Sequence, residues 1–412
     1  MRAVLHLTQS LESPNRSVVT LEIRRATSRR DLRRFVAFPY ALYDAETYPN
    51  WVAPLRVAVY DALDRKSPFY RDAERELFLA VRDGQVVGRI AAIENRAHNR
   101  FHEDRTGFWG FFECVDDQEV ANALFSAASQ WLALRGLTSM LGPMNPSTNY
   151  ECGLLVEGFE HRPTFMTAWN PPYYDRLCRG AGLTKAKDLL GFWFPAAEPG
   201  YQLPDFVARQ ADRALEKGRI EFRDLDPRHF AREVALCWEI YNDAWERNWG
   251  FVPMARAEFE HMAKDMKQLL WPELAFMASI DGKPAGFMLA VPDYNKALAK
   301  NRSGRLFPLG LLRLLLGKRT VDTARVMALG VKGKFRSRSI LALFTREVMR
   351  RGLAMGKVGA EASWLLEDNQ LIVKPMRAMG ARERMRWRVY ASEFSGRTRE
   401  SAPALVAPSE RA

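Results

Sequence analysis

The sequence predicts an α/β (α+β) chain built as two fused modules, and three observations point to it. First, Glu76–Ile93 (ELFLAVRDGQVVGRIAAI) and Glu273–Val291 (ELAFMASIDGKPAGFMLAV) share one form. Each is an apolar run, an Asp-Gly turn and a second apolar run with a glycine near its start, Gly88 or Gly286. Apolar runs flanking Asp-Gly read as β-hairpins. Second, the turns Asp83-Gly84 and Asp281-Gly282 lie 198 positions apart in a chain of 412 residues, about half its length. Third, the same strand, helix and strand follow each hairpin, and this order repeated makes two mixed α/β modules.

Helical segments Arg29–Val36 and Pro54–Leu63 precede the first hairpin, and a strand (Thr106–Cys114), a helix (Asp117–Arg135) and a strand (Thr138–Leu141) follow it. Helices His229–Glu246 and Arg256–Leu270 precede the second hairpin. A strand (Ala324–Val331), a helix (Ser337–Met355), a strand (Lys357–Leu366) and a last strand (Glu383–Tyr390) come after. Ile340, Leu343, Phe344 and Val348 keep the three-to-four spacing of an apolar helix face. The expected division is 20–200 for the first module and 201–395 for the second, with a disordered tail over 396–412. Between them, GPMNPSTNYECGLLVEGFEHRPTFMTAWNPPYYDRL holds too many Pro, Asn and Gly residues for a long helix. It reads as an ordered loop lining a pocket between the modules.

Composition narrows the function. At 47% hydrophobic residues the chain supports sizeable cores. Its first residues lack a signal-peptide apolar stretch, and no segment has the ~18 apolar residues of a membrane span. The expectation is a cytoplasmic chain, soluble or peripheral on the inner face of the membrane. Four scattered cysteines without a CxxC pair signal neither zinc nor a redox dithiol. His98 and His102 stand four apart, but without HExxH their polar run reads as a solvated loop, and no metal is expected. The net charge is +12, and between Asn295 and Ile340 twelve Lys and Arg stand against one acid, Asp322. So concentrated a field implies an anionic partner. Within it, RLFPLGLLRLLLGKR (Arg305–Arg319) is apolar with arginines at its ends and one inside. That pattern fits an interfacial segment, so residues 295–325 are a candidate contact for an anionic membrane; a core helix or a dimer contact is the alternative.

The chemistry centres on Leu329-Gly-Val-Lys-Gly-Lys-Phe-Arg-Ser-Arg-Ser-Ile340, which joins a strand end to a helix start. Amides at a helix N-terminus favour phosphate, Arg336 and Arg338 add charge, and Ser337 and Ser339 add hydroxyl donors. The stretch resembles the pyrophosphate loop of the GNAT superfamily, (Arg/Gln)-x-x-Gly-x-(Gly/Ala), with both glycines replaced by serine. Glu361-Ala-Ser-Trp-Leu-Leu-Glu-Asp-Asn369 and Met376-Arg-Ala-Met-Gly380 continue the resemblance. The first module's corresponding loop, Glu113-Cys-Val-Asp-Asp-Gln-Glu119, is acidic and would repel phosphate. A narrower resemblance, to a bacterial tandem-GNAT group that includes bacterial ceramide synthase, rests on five stretches. They are Pro39-Tyr-Ala-Leu-Tyr43, Gly142-Pro-Met-Asn-Pro-Ser147, Phe165-Met-Thr-Ala-Trp-Asn-Pro-Pro-Tyr-Tyr174, Trp245-Glu-Arg-Asn-Trp-Gly-Phe-Val-Pro253 and Ser363–Asn369.

The resemblance implies two GNAT-like modules, each a mixed, largely antiparallel twisted sheet flanked by helices, with the donor in the second. It implies an N-acyltransferase moving a fatty acyl group from acyl-CoA or acyl carrier protein to a lipid amine of the sphingoid type. Leu329, Gly330 and Val331 would lie beside pantetheine, and Arg336, Ser337, Arg338, Ser339 and Asn369 would complete the donor site. General bases are Glu, Asp or His within hydrogen-bond reach, so the candidates are Glu361, Glu367, Asp368, His161 and Glu151. Tyr390, Tyr150 and Tyr241 are candidate acids for the leaving thiolate. Asn145, Asn149, Tyr150, Asn170, Trp245, Asn248 and Trp249 are the expected acceptor contacts. Two alternatives stand: a transferase using aminoacyl-tRNA, against which the leucine-rich insert argues, and a non-catalytic membrane-associated binding protein.

Overall fold

The computed structural model describes residues 20–216, 220–307, 310–312, 316, 320–336 and 338–394. The tail over 396–412 lies outside them. The first half runs β1 (Leu21–Arg25), α1 (Arg29–Leu42), α2 (Arg56–Ala62), β2 (Ala73–Arg82), β3 (Gln85–Asn95), α3 (Arg96–His102), β4 (Thr106–Cys114), α4 (Gln118–Ala133) and β5 (Ser139–Gly142). The Pro- and Asn-rich stretch supplies short strands β6 (Met144–Asn145), β7 (Glu151–Cys152) and β8 (Leu154–Glu157), then α5 (Tyr173–Gly180), and leads into β9 (Thr184–Phe194). The second half runs α6 (Asp205–Glu216), β10 (Ile220–Asp224), α7 (Phe230–Trp245), α8 (Arg256–Met266), β11 (Ala275–Ile280), β12 (Lys283–Pro292), α9 (Asn295–Leu298), β13 (Thr323–Val331), α10 (Arg338–Ala354), β14 (Gly359–Leu366), α11 (Gln370–Ala378) and β15 (Arg382–Glu393).

Local chemistry accounts for these boundaries. Both Asp-Gly turns have positive φ at both residues, 51° and 77° at Asp83-Gly84 and 50° and 70° at Asp281-Gly282, the geometry that closes a two-residue hairpin. Ser28 and Asp31 form a capping box at the start of α1. Asp117 caps α4 by accepting from the amides of Glu119 and Val120. The run holding His98 and His102 is helical rather than a solvated loop. Asn95 caps it through the His98 amide at 3.1 Å, and the His98 ring is buried edge-on to Phe108. His102 Nε2 lies 2.7 Å from the Phe251 carbonyl oxygen, tying this helix to the second half.

One sheet of 13 strands crosses the molecule in the order β1-β2-β3-β4-β5-β15-β9-β14-β13-β12-β11-β10, with β8 also on β15. The last strand of each half sits against the other half. β15 pairs with β5 (Tyr390 opposite Gly142), β9 pairs with β14 (Phe192 opposite Ala362), and β9 and β15 pair with each other along the middle. One apolar core lies under α4 around Trp109, Phe125 and Tyr174, another under α10 around Phe276, Ile340 and Phe344, and a third joins Leu77, Leu189 and Trp387 across the seam.

Candidate functional site

In each half two parallel strands diverge. β4 and β5 pair only from Thr106–Phe108 opposite Ser139–Leu141, and β13 and β14 only from Thr323–Val326 opposite Gly359–Ala362. Beyond those residues the facing edges need other hydrogen-bond partners. In the first half the protein itself provides them. The Phe111 amide donates to Asn145 Oδ1 at 2.6 Å, the Cys114 amide donates to Tyr174 Oη at 2.9 Å, and Tyr173 Oη donates to the Cys114 carbonyl at 2.8 Å. A Cβ on Gly110 would sit 1.8 Å from the Met144 carbonyl oxygen, so the gap is closed by backbone as well. Glu113 is half-buried behind it, accepting from Tyr43 and Tyr174 and facing Arg89, while Asp117 takes the helix amides an anion would need. Burial raises the Glu113 carboxyl despite Arg89 beside it.

In the second half the gap opens onto a cavity of about 260 Å³. Met327, the extra residue of a bulge against β12, and Ala328 line it from β13, and Ser363 and Trp364 from β14. Val234, Cys237, Tyr241 and Trp245 of α7 and Phe259, Met262 and Met266 of α8 close it with apolar walls. Thr148, Asn149 and Tyr150 reach in from the first half and form a polar rim with Asn248 and Arg325. That rim is held across the halves: Thr148 Oγ1 donates to the Gly250 carbonyl at 2.7 Å, Asn149 Nδ2 to the Val252 carbonyl at 3.2 Å, and Tyr241 Oη to Asn149 Oδ1 at 2.8 Å. Tyr150 Oη donates to Glu258 Oε1 of α8 at 3.0 Å. Burial pushes the Glu258 carboxyl up to about 7, with Tyr150 opposing and Asp72 reinforcing.

Five of the seven expected acceptor contacts line this cavity: Asn149, Tyr150, Trp245, Asn248 and Trp249. The other two serve the backbone. Asn145 fills the first-half gap, and Asn170 ties the Leu155 amide and carbonyl. Of the eight candidate bases and acids, Tyr150 and Tyr241 line the cavity and the other six do not. Glu361 of β14 is fully buried, with Oε1 accepting from Thr164 at 2.7 Å and Oε2 without a hydrogen-bond partner among the described residues. Glu151 is half-buried beside Asn145, accepting from its Nδ2 at 3.4 Å. Glu367 bonds Lys185 at 2.7 Å, and Asp368 bonds Lys187 at 2.6 Å. His161 stands by Glu160, and Tyr390 donates to Asp175 inside the first-half core. Cys152 is buried, and burial raises its thiol, so it is no ready nucleophile.

On the donor side, Leu329, Gly330 and Val331 end β13, where only β12 pairs with them. The loop that follows is fastened to α7. Lys332 pairs with Glu239, the Gly333 amide donates to Asp243 Oδ1 at 2.6 Å, and Arg336 Nη2 donates to the Ala244 carbonyl at 2.7 Å. Ser339 lies in the first turn of α10 and Asn369 stands at the N-cap position of α11 without a side-chain capping bond, whereas Ser337 and the side chain of Arg338 lie outside the described residues. Two residues at the site escaped the sequence reading. Arg325 left a signal: a cation in the apolar strand TARVMALGV, now buried and bonded to the Phe165, Met166 and Ser363 carbonyls. Glu258 left almost none, since an acid in the first turn of an amphipathic helix ordinarily faces water.

No family model matches the chain. It is 38% identical over 368 residues to the bacterial ceramide synthase of Caulobacter vibrioides, covering 87% of this chain and 94% of that protein. It is 33% identical over 378 residues to protein YghO of Escherichia coli, covering 90% and 95%. Among solved structures, a tandem GNAT protein from the clavulanic acid biosynthesis pathway superposes with a TM-score of 0.52 at 12% identity, over 91% of this chain and 98% of that one. A GCN5-related N-acetyltransferase from Sphaerobacter thermophilus gives 0.50 at 15% identity, over 90% and 95%. At such identities the structural likeness is one of fold.

Proposed function

Because the chain belongs to the tandem-GNAT N-acyltransferase family that includes the bacterial ceramide synthase, we propose that it joins a fatty acyl group to the amine of a long-chain, sphingoid-type base. The observation that carries this reading is the apolar cavity at the β13–β14 gap, whose walls from α7 and α8 suit an aliphatic chain and whose polar rim suits a head group. The donor is acyl-CoA or the acylated arm of a carrier protein, which supplies the thioester carbon. The unpaired edge of β13 fits an extended pantetheine, which would bond to it as an added strand does. Lys334 and Arg336, exposed beyond that edge, fit its phosphates. Backbone amides at the end of β13 would stabilise the charge that develops on the acyl oxygen. The first half, with its gap filled and its helix start capped by Asp117, serves as the acceptor wall through Thr148–Tyr150.

The insert after α9 supports a lipid acceptor. Phe307 is 68% exposed, and Leu312 and Leu316 are exposed with it. Its root is anchored, because the Arg302 guanidinium donates to the Trp51 and Tyr48 carbonyls and Arg56 to that of Ser303. Apolar side chains carried outward from a fixed, basic root fit an anionic bilayer holding the acceptor. Part of the insert, residues 308–309, 313–315 and 317–319, lies outside the described residues. Among the described residues no helix is long and apolar enough to cross a membrane.

The test is an acyl-transfer assay with sphinganine or 3-ketosphinganine, long-chain acyl-CoA or acyl carrier protein, thiol release and mass spectrometry of the product. N-acyl product is expected from long-chain donors and not from acetyl-CoA. With acceptor presented in phosphatidylglycerol vesicles, Leu312→Glu/Leu316→Glu should slow the reaction, and in detergent it should not. Transfer of acetyl alone, to water-soluble amines, overturns the lipid reading.

A further inference from the structure

Glu258 is the buried acid that the fold leaves without an ionic partner at the cavity. It sits in the first turn of α8 at 8% exposure, and no ion pair joins it among the described residues. The side chain shown bonded to it is Tyr150, which lines the cavity from the other half of the molecule. A buried carboxylate without a cation is costly, and a fold keeps one most readily where it has work to do. The Tyr150 ring is itself fixed edge-on against Phe69, with centroids 5.9 Å apart, which aims its hydroxyl at Glu258.

We propose that Tyr150 and Glu258 form the proton-accepting pair of the transfer reaction, Tyr150 touching the acceptor nitrogen and Glu258 acting through it. This rests on the acyl-transfer reading above. The acceptor is the neutral amine. Its nitrogen lone pair forms the N–C bond to the acyl carbon, the C–S bond breaks, and the sulfur keeps the electron pair as thiolate. The nitrogen passes a proton to Tyr150 Oη while the Tyr150 proton moves to the Glu258 carboxylate, so the phenol is unchanged at the end and one proton rests on Glu258. Release of that proton to water restores the pair. Tyr150 is thus a catalytic residue and Glu258 a positioning and proton-holding residue.

The pair sees a defined set of charges. Asp72 from the first half raises Glu258, and Asp61 and Tyr70 act on Tyr150. Tyr241 of α7 lies within electrostatic reach of Glu258. Asp72 also pairs with the exposed Arg100 at 2.6 Å, and Asp61 faces His261 at 3.4 Å. With the Glu258 carboxyl pushed up to about 7, its proton-accepting carboxylate form becomes the major one as pH rises past neutrality, and turnover should rise with it.

The experiment is the pH profile of kcat for the full chain, with donor saturating, for the wild type, Glu258→Gln, Glu258→Asp and Tyr150→Phe. The expected wild-type profile has a rising limb near pH 7. Glu258→Gln and Tyr150→Phe should each lower kcat by about 100-fold, leave KM for the donor within about twofold, and abolish the limb. Glu258→Asp should recover part of kcat and keep the limb. Thermal melts at pH 8 should show Glu258→Gln no less stable than the wild type, since the variant removes a buried charge. An active wild type with an equally active Glu258→Gln, or with the same limb in both, overturns the pair and leaves the acyl-transfer reading standing. A wild type that moves acyl groups only to another class of amine overturns the sphingoid reading, and the variants then decide on the pair in that reaction. A wild type that releases no thiol from any acyl-CoA or acyl carrier protein overturns both.

Discussion

At Gly330 a Cβ would lie 2.3 Å from Cζ3 of Trp245 and 3.3 Å from the Ala244 Cβ. The indole has little room to withdraw, because its other neighbours are Tyr241, stacked with centroids 4.6 Å apart, and Phe287. The glycine of the Leu-Gly-Val motif is therefore there for close approach between strand and helix. Gly330→Ala is expected to cost about 1–3 kcal/mol by overpacking and to reshape the cavity wall. A lower urea midpoint, an altered tryptophan emission and a higher KM for the acceptor would show it. At this scale the sequence was readable where composition was unusual: Asn149 and Tyr150 stood out in the Pro- and Asn-rich stretch and Trp245, Asn248 and Trp249 in the Trp245–Pro253 motif, and all five line the cavity. Glu258 was not readable, because an acid four residues before Met262 on a mixed helix looks solvated until its neighbours in space are known.

Among the elements, the seam between β9 and β15 carries a cross-strand ion pair. Arg388 stands opposite Asp188 and grips both its oxygens, at 2.7 and 2.9 Å, and Lys185 adds a contact at 2.9 Å. Burial acts to raise the Asp188 carboxyl, but the hydrogen bonds from Arg388 and Lys185 outweigh it and hold it at about 2. A folded-state value below the unfolded one means stability that is full above about pH 4 and lost as pH falls toward 2. Asp188→Asn is expected to cost about 2 kcal/mol at pH 7, below the full cost of breaking a buried pair because Lys185 and Arg388 reach water. Urea melts of both proteins should converge as the pH is lowered from 4 to 2. The hairpins and the strand-helix-strand units were legible because their contacts are local. β9 was not, because TKAKDLLGFWF has no hairpin partner beside it and its two neighbours come from residues beyond 358.

Over the whole molecule, the repeat of 198 positions revealed two similar halves but could not reveal that their last strands cross over, since a strand's apolar pattern does not name its partner. The proposed division at 200/201 therefore cuts the chain between two halves that complete each other's sheets. Residues 20–200 made alone would leave β5 with an open edge where β15 belongs, and residues 201–395 would leave β14 open where β9 belongs. Each fragment is expected to aggregate when expressed singly and to yield soluble, acyl-transferring material when the two are expressed together; a first fragment that is monomeric with native circular dichroism would contradict this. The crossover also sets an order of events at the ribosome. The first half emerges with its central edge waiting for a strand encoded some 240 residues downstream, and β9 must itself wait for β14. Neither half can close before β14 and β15 have emerged, so until then the nascent chain carries unpaired sheet edges, a natural client for chaperones, and a stall or a premature stop codon ahead of β15 would disable the first half as surely as the second.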